Sequence, residues 1–161
     1  MSLCDQKRRE PNPRSDLSVE NLIILSRADP IICGHSTETR NLAEAARDLG
    51  VRNVHVVSYP LDVLAPSGLP LKPENSVEAY SPGITVDRPA PIGDYKVLDG
   101  RLGAAISGHL INLLAKLPGK TAVMDLYLVP HGQMVMQAVD SCSRSGIAAA
   151  PVTIGEAVGS D

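Results

Sequence analysis

The stretch NLIILSRADPIICGHSTETRNLAEAARDLGVRNVHVVSY, residues 21–59, contains two short apolar runs separated by a segment of helical periodicity. Residues 21–26 form a continuous apolar run of the length typical of a strand that is buried on both faces. Apolar residues then recur at i, i+3, i+4 and i+7, on one face of a helix: Leu42, Ala45, Ala46 and Leu49. Residues 53–59 predict a second strand, so the stretch indicates two parallel strands joined by a helix.

The predicted helix has recognisable ends. Ser36 or Thr37 can accept a hydrogen bond from a free N–H group of the first turn, and Glu38 adds a favourable negative charge there. Gly50 suits a left-handed stop. We therefore expect the helix to start at about Ser36 and to end at Gly50.

Residues 60–93 break this regularity, because seven of the 13 prolines fall within them. Residues 83–88, GITVDR, predict a short edge strand inside this proline-rich excursion. A mostly irregular segment of this length is uncommon in a compact domain and often borders a site.

In the second half of the chain, predicted helices again alternate with predicted strands. A helical face begins after Leu98 and ends at Pro118-Gly119. Residues 122–129, AVMDLYLV, predict a strand, residues 130–133, PHGQ, a turn into another helix, and residues 150–155 a last strand. The apolar positions of the two helices are Leu102, Ile106, Leu110, Leu113, Leu114 and Leu117, then Met134, Val135, Ala138, Val139 and Cys142.

This order predicts an α/β fold, a Rossmann-like three-layer sandwich with a mostly parallel sheet. We assign residues 1–20 to a flexible tail and residues 21–161 to one Rossmann-like domain.

Composition excludes several classes of protein. The net charge of −3, the absence of Phe and Trp and the four Tyr argue against a nucleic-acid surface. Three dispersed cysteines without CxxC spacing argue against a disulfide scaffold or a zinc site, so we predict no metal and a reducing, cytoplasmic location. The sequence contains neither a signal-type segment nor an apolar run long enough to span a membrane.

Polar clusters follow the predicted strands, at the sheet edge where such folds bind ligands. Gly34 allows the backbone to come close to a ligand. The start of the following helix is suited to binding a phosphate or a sugar hydroxyl. Simple helix capping by Ser36 and Thr37 is the alternative. The segment is neither a P-loop nor a GxGxxG fingerprint.

Further polar residues allow more than one interpretation. His131 suits ligand contact, acid–base chemistry or a structural hydrogen bond. Asp125, inside an apolar strand, must be paired, and we interpret it as an anchor for a loop. His55 is expected to be structural and His109 to lie on the surface. A catalytic set of Ser36, His131 and Asp125 is an alternative that no GxSxG elbow supports.

One family resemblance follows from the first stretch. Residues 34–60, GHSTETRNLAEAARDLGVRNVHVVSYP, resemble the first loop, helix and second strand in the N-terminal domain of GT-B glycosyltransferases, particularly the group of sucrose-phosphate and glycogen synthases. Residues 150–161, APVTIGEAVGSD, resemble a later strand of that domain, although Gly155 stands where the family often has histidine. The first loop also has one glycine, Gly34, where many relatives have two.

The resemblance implies an acceptor-side domain that faces a second, donor-binding domain across a cleft. The chain is long enough for only the first domain and lacks the family's paired-glutamate donor motif, so we expect no sugar transfer by the chain alone. The implied partners are a sugar or small-molecule acceptor and, through the missing domain, a nucleotide-sugar donor; no resident cofactor is implied. The cleft histidine of the family does not carry over to His131. By their positions in the first loop and at the end of the third strand, the expected binding residues are Gly34, His35, Ser36, Thr37, His131 and Gln133.

Two other functions stay open. The chain can be a complete small α/β module that binds a phosphorylated metabolite without catalysis, or a small hydrolase that uses His131. The two-domain interpretation predicts a partly exposed apolar docking face. Such a face can also pair with its own copy, which leaves a homodimer open.

Overall fold

A computed structural model describes residues 19–58, 70–89, 100–126, 128–147 and 150–151. The described residues form five strands and three α-helices, with a 3₁₀ turn at Glu74–Ser76. In chain order these are β1 (Asn21–Leu25), α1 (Gly34–Asp48), β2 (Asn53–Val57), β3 (Ile84–Asp87), α2 (Gly100–Lys116), β4 (Thr121–Asp125), α3 (Leu128–Arg144) and β5 (Ala150–Pro151).

All strand pairs in the sheet are parallel, and the spatial order of the strands is β3-β2-β1-β4-β5. The centre of the sheet is β1, whose Ile23 and Ile24 are completely buried. The edge strand predicted within residues 83–88 is confirmed as β3. The predicted fold class, a Rossmann-like α/β sandwich with a parallel sheet, is therefore confirmed.

Helices cover both faces of the sheet and give two cores. On one face, α2 and α3 pack on each other and on the side chains of Ile23, Leu25 and Val123. On the other face, α1 packs through Ala43 and Ala46 onto the opposite side of β1 and β2. The predicted apolar faces of α2 and α3 are confirmed, since their residues lie in the first of these cores.

The predicted start of α1 is wrong by two residues. The helix begins at Gly34, and its N-cap is Cys33, whose backbone is extended and whose side chain makes no capping bond. Ser36 and Thr37 therefore lie inside the first turn rather than before it. Glu38 lies beyond the first turn, which contains no acidic residue. The predicted stop at Gly50 is confirmed by its φ of 92°.

The predicted boundary between residues 122–129 and the next helix is also wrong. The strand ends at Asp125, and α3 begins at Leu128, so Pro130 lies in its first turn. Proline is tolerated there because the N–H that it lacks has no acceptor within the helix. The apolar residues Leu128 and Val129 thus belong to a helix, although their pattern is typical of a strand.

Several predictions fall outside the described residues: most of the tail, residues 60–69 and 90–93 of the excursion, and residues 152–161 of the last strand and its loop. Glu20, which we assigned to the tail, is already bound to the fold. Its N–H donates to the Lys120 carbonyl at 2.9 Å, and its carbonyl accepts from the N–H of Arg52 at 2.9 Å.

Candidate functional site at the carboxyl edge of the sheet

The crossover connections diverge between β1 and β4. The chain leaves β1 toward β2 and β3 on one side, whereas β4 and β5 lie on the other. Leu25 and Asp125, the last residues of β1 and β4, are register partners. Parallel sheets of this kind bind ligands in the crevice outside the carboxyl ends of the strands at such a divergence.

The first turn of α1 lies at this divergence. Thr37 N–H donates to the Cys33 carbonyl at 3.3 Å, so the amides of Gly34, His35 and Ser36 precede the first helical hydrogen bond. The side chain of Cys33, the N-cap residue, makes no capping hydrogen bond. Gly34 is exposed, and a Cβ added there would meet no atom within 4 Å. The 15-residue helix therefore presents the positive end of its dipole at an accessible position.

The two hydroxyl residues predicted to cap this helix have other contacts. Ser36 is 2% exposed, and its Oγ lies 3.2 Å from the Cys33 Sγ. Thr37 Oγ1 makes only a long contact, 3.5 Å, with the Cys33 carbonyl. The capping interpretation of these residues is wrong, because extended Cys33 occupies the cap position.

The other predicted site residues divide between the edge and the adjacent helix. Asp125 is fully buried at the carboxyl end of β4. His131 and Gln133 lie in the first two turns of α3 rather than in a turn before it, and Gln133 is exposed. Because α1 follows β1 and α3 follows β4, both helices begin at the same edge of the sheet. The position of the His131 side chain lies outside the described part of the structure.

An ionic cluster that the sequence analysis missed borders this edge. Asp29, in the loop between β1 and α1, accepts from Arg40 Nε at 2.7 Å and from Lys72 Nζ at 2.7 Å. The Asp29 side chain is 3% exposed and the Arg40 side chain 16% exposed. Burial acts to raise the pKa of Asp29, but the hydrogen bonds from Lys72 and Arg40 outweigh it and hold the pKa below its ordinary value.

The cluster attaches residues 70–81 to α1. Arg40 donates to the Glu78 carbonyl at 2.7 Å, and its guanidinium lies 3.9 Å from the centre of the Tyr80 ring. The N–H of Ser81 donates to Glu44 at 3.1 Å. An antiparallel bridge between Ile31 and Leu71 joins the same segment to the β1–α1 loop. We call residues 70–81 the strap, and it is the part of the proline-rich excursion that borders the edge.

A second cluster joins β2, β3 and α2. Asp87 Oδ2 lies 2.9 Å from His55 Nδ1 and 3.4 Å from His109 Nε2. The hydrogen bond with His55 outweighs burial and, with the contribution of His109, lowers the pKa of Asp87. The structural role expected for His55 is consistent with this contact. His109, which we expected on the surface, is 26% exposed and faces Asp87.

Neither cluster has a local sequence signature. Asp29 and Arg40 are 11 residues apart, which is not the i,i+3 or i,i+4 spacing of an ion pair on one helix. His55 and Asp87 meet only because β2 and β3 pair in parallel. The sequence did contain one indication, Asp29 itself. A carboxylate a few residues after a buried strand needs an ionic or hydrogen-bond partner.

Comparisons with known proteins add no further constraint: no family model matches the chain, and no curated protein or solved structure gives a significant match. Among the described helices, none combines the length and hydropathy needed to cross a membrane. Within the same described ranges, no group of three His, Cys, Asp or Glu side chains has an arrangement that fits a metal ion.

Proposed function

We propose that this chain is the acceptor-side domain of a sugar-transferring enzyme and that its acceptor, a sugar or sugar phosphate, binds beside the first turn of α1. The supporting observation is the first turn of α1, which begins at exposed Gly34 after a Cys33 that makes no side-chain capping bond, next to the divergence of β1 and β4. The parallel sheet and the order of its elements are those that the resemblance of residues 34–60 to GT-B enzymes implies.

In this proposal each part of the first turn has a simple role. The N–H groups of Gly34, His35 and Ser36 donate to a phosphate or hydroxyl oxygen, and the helix dipole favours negative charge there. His131 and Gln133, at the start of α3, contact the same ligand from the β4 side. A nucleotide-diphosphate sugar is held by a second domain, so the chain alone binds the acceptor and transfers nothing.

The same observation favours a second candidate, a module that binds a phosphorylated metabolite without catalysis. The two candidates differ in whether sugar transfer occurs when a nucleotide-sugar donor is present. An acceptor-side domain gives transfer when it is joined to its donor-binding half, whereas a binding module gives none in any context. Both require that the ligand bind at the first turn of α1.

The test is calorimetry with glucose 6-phosphate on the chain and on two variants of Gly34. Gly34→Asp places a carboxylate in the first turn, which suits the helix dipole but repels a phosphate. Gly34→Asn has nearly the same shape without the charge, and the open space around Gly34 accommodates both side chains. We expect saturable binding to the unmodified chain, weaker binding to Gly34→Asn, and a loss of about tenfold or more for Gly34→Asp relative to Gly34→Asn.

Equal affinities of the two variants would contradict binding at this turn. UDP-glucose provides the control for the acceptor-side interpretation, since the chain alone is expected neither to bind it nor to release UDP from it. Binding of UDP-glucose by the chain, without binding of any sugar phosphate, would contradict that interpretation.

A further inference from the structure

Arg88, the first residue after β3, is a half-buried cation whose Nε atom is buried. It lies on the same side of the sheet as α1, and its Nη2 donates to the main-chain carbonyl of Asp29 rather than to the carboxylate. Both oxygens of that carboxylate already accept from Arg40 and Lys72. Burial lowers the pKa of Arg88, because the attraction of Tyr80 and Asp29 compensates only part of its lost hydration.

A buried hydroxyl lies opposite Arg88. Val57 and Asp87 are register partners, and the N–H of Ser58 donates to the Asp87 carbonyl at 2.8 Å. Continuing the register by one residue places Ser58 opposite Arg88, with both side chains on the α1 side of the sheet. Ser58 is 1% exposed, and its Oγ has no hydrogen-bond partner among the described residues.

Two further buried polar atoms belong to this cluster. Arg88 Nε is buried without a hydrogen-bond partner in the described part of the chain, and the Tyr80 hydroxyl is buried beside it. Tyr80 lies close to the Asp29 backbone and to Arg88. A buried donor left unsatisfied costs about 1–3 kcal/mol, so folded proteins rarely keep several of them together without a bound group.

These donors match one class of ligand. A guanidinium presents a planar fork of N–H groups that fits the oxygens of a phosphate or carboxylate, and neighbouring hydroxyls donate to the same oxygens. Three cations, Arg40, Lys72 and Arg88, face two carboxylates here, Asp29 and Glu44, so the local charge also favours an anion.

We propose that Arg88, Ser58 and Tyr80 form an oxyanion subsite at the carboxyl ends of β2 and β3, which takes a phosphate or carboxylate group of a small molecule. The subsite is built from other residues than the first turn of α1, so it stands whether or not the proposed sugar acceptor is correct.

The test is a titration of the full chain with inorganic phosphate and, separately, with acetate, at an ionic strength held constant with potassium chloride. The thermal midpoint and calorimetry report binding. The variants are Arg88→Gln and Ser58→Ala. The control is Arg52→Gln. Arg52 directly precedes β2, at the amino edge of the sheet and away from the proposed subsite, and its side chain is 73% exposed and lies 3.7 Å from Glu20.

We expect saturable stabilisation by one of the two anions. The affinity for that anion should fall by about tenfold or more in Arg88→Gln and stay unchanged in Arg52→Gln. Stabilisation by phosphate identifies a phosphate subsite, and stabilisation by acetate a carboxylate subsite. Without anion, Ser58→Ala should keep the thermal midpoint of the unmodified chain, because its hydroxyl loses no partner, yet it should bind the anion several-fold more weakly. Ser58→Ala also keeps the test valid if Arg88→Gln does not fold.

Three results would overturn the subsite: responses of Arg88→Gln and Ser58→Ala equal to that of the unmodified chain, no response beyond that of chloride, or a marked loss of stability in Ser58→Ala without anion. The Gly34→Asp variant separates the two proposals. Phosphate binding removed by Gly34→Asp but retained by Arg88→Gln overturns the subsite and leaves the proposed function standing.

Discussion

Arg40 Nη2 lies 2.6 Å from Asp29 Oδ2, and this ion pair joins the second turn of α1 to the loop that follows β1. Arg40 also holds the strap through the carbonyl of Glu78 and the ring of Tyr80. One side chain therefore connects the helix whose first turn faces the proposed ligand, the loop before that helix and the segment that borders the edge.

We predict that Arg40→Ala costs about 3 kcal/mol in the free energy of unfolding, because it leaves the buried carboxylate of Asp29 with only Lys72. Urea unfolding measures this loss. Arg52→Ala is the control, and because its ion pair with Glu20 is exposed, its effect should stay within about 0.5 kcal/mol. Similar losses for the two variants would show that the Asp29 cluster contributes little.

We also predict that Arg40→Ala loosens the attachment of the strap to α1. Hydrogen exchange should become faster at the amide of Ser81, which donates to Glu44, and at Lys72, which donates to the Pro30 carbonyl at 2.7 Å. The amide of Val56, in the central part of the sheet, serves as the reference. If Ser81 and Lys72 exchange at unchanged rates, Arg40 does not hold the strap.

Two glycines with the same backbone angle provide a matched comparison. Gly50 and Gly83 both have a φ of 92°, but a Cβ at Gly83 would lie 2.7 Å from the Arg47 guanidinium, whereas a Cβ at Gly50 would meet nothing within 4 Å. Gly50→Ala should cost about 1–2 kcal/mol from left-handed strain alone. Gly83→Ala should cost more, because it also displaces Arg47 from the carbonyl of Arg52. Thermal or urea unfolding of both variants checks the order, and a smaller loss for Gly83→Ala would contradict it.

The pH dependence of stability should report the pKa of Asp87. Because this pKa is lower in the folded chain than its ordinary value, Asp87 stabilises the fold above about pH 3.9, and this contribution disappears as the pH falls through the folded pKa. Asp87→Asn should therefore be less stable than the unmodified chain at neutral pH, and the difference should shrink below about pH 4.

Urea unfolding between pH 2 and pH 7 measures this difference. His55→Asn should destabilise the chain more than His109→Asn at neutral pH, because His55 lies 2.9 Å and His109 3.4 Å from the Asp87 carboxylate. A pH-independent difference between Asp87→Asn and the unmodified chain would exclude a role for the ionised carboxylate.

Local periodicity was sufficient to predict most of the fold. The apolar run of β1 follows directly from burial on two faces. The face predicted for α1 is only partly right: Ala46 is buried and Leu42 packs on the core, but Ala45 is exposed, Leu49 is 70% exposed, and Ala43 is buried instead. The boundaries were predicted less well, because they depend on backbone geometry. An extended Cys33 caps α1 without a side-chain bond, and Pro130 fits the first turn of α3 because its missing N–H is not needed there.

The candidate site was predictable only in part. The position of Gly34 and Ser36 after a buried strand indicated the carboxyl edge, since that is where parallel strands end. The contacts of Asp29 with Lys72, and of Ser58 with Asp87, join residues that are distant in sequence. Such contacts depend on strand order and on the path of the strap, which periodicity alone does not specify.

The most direct test of ligand binding at the first turn of α1 is an amide NMR titration of the ¹⁵N-labelled chain with glucose 6-phosphate. The account predicts saturable shifts of the Gly34, His35 and Ser36 amides that are absent in the Gly34→Asp variant. Saturable shifts elsewhere in the chain, with these three amides unchanged, would contradict it.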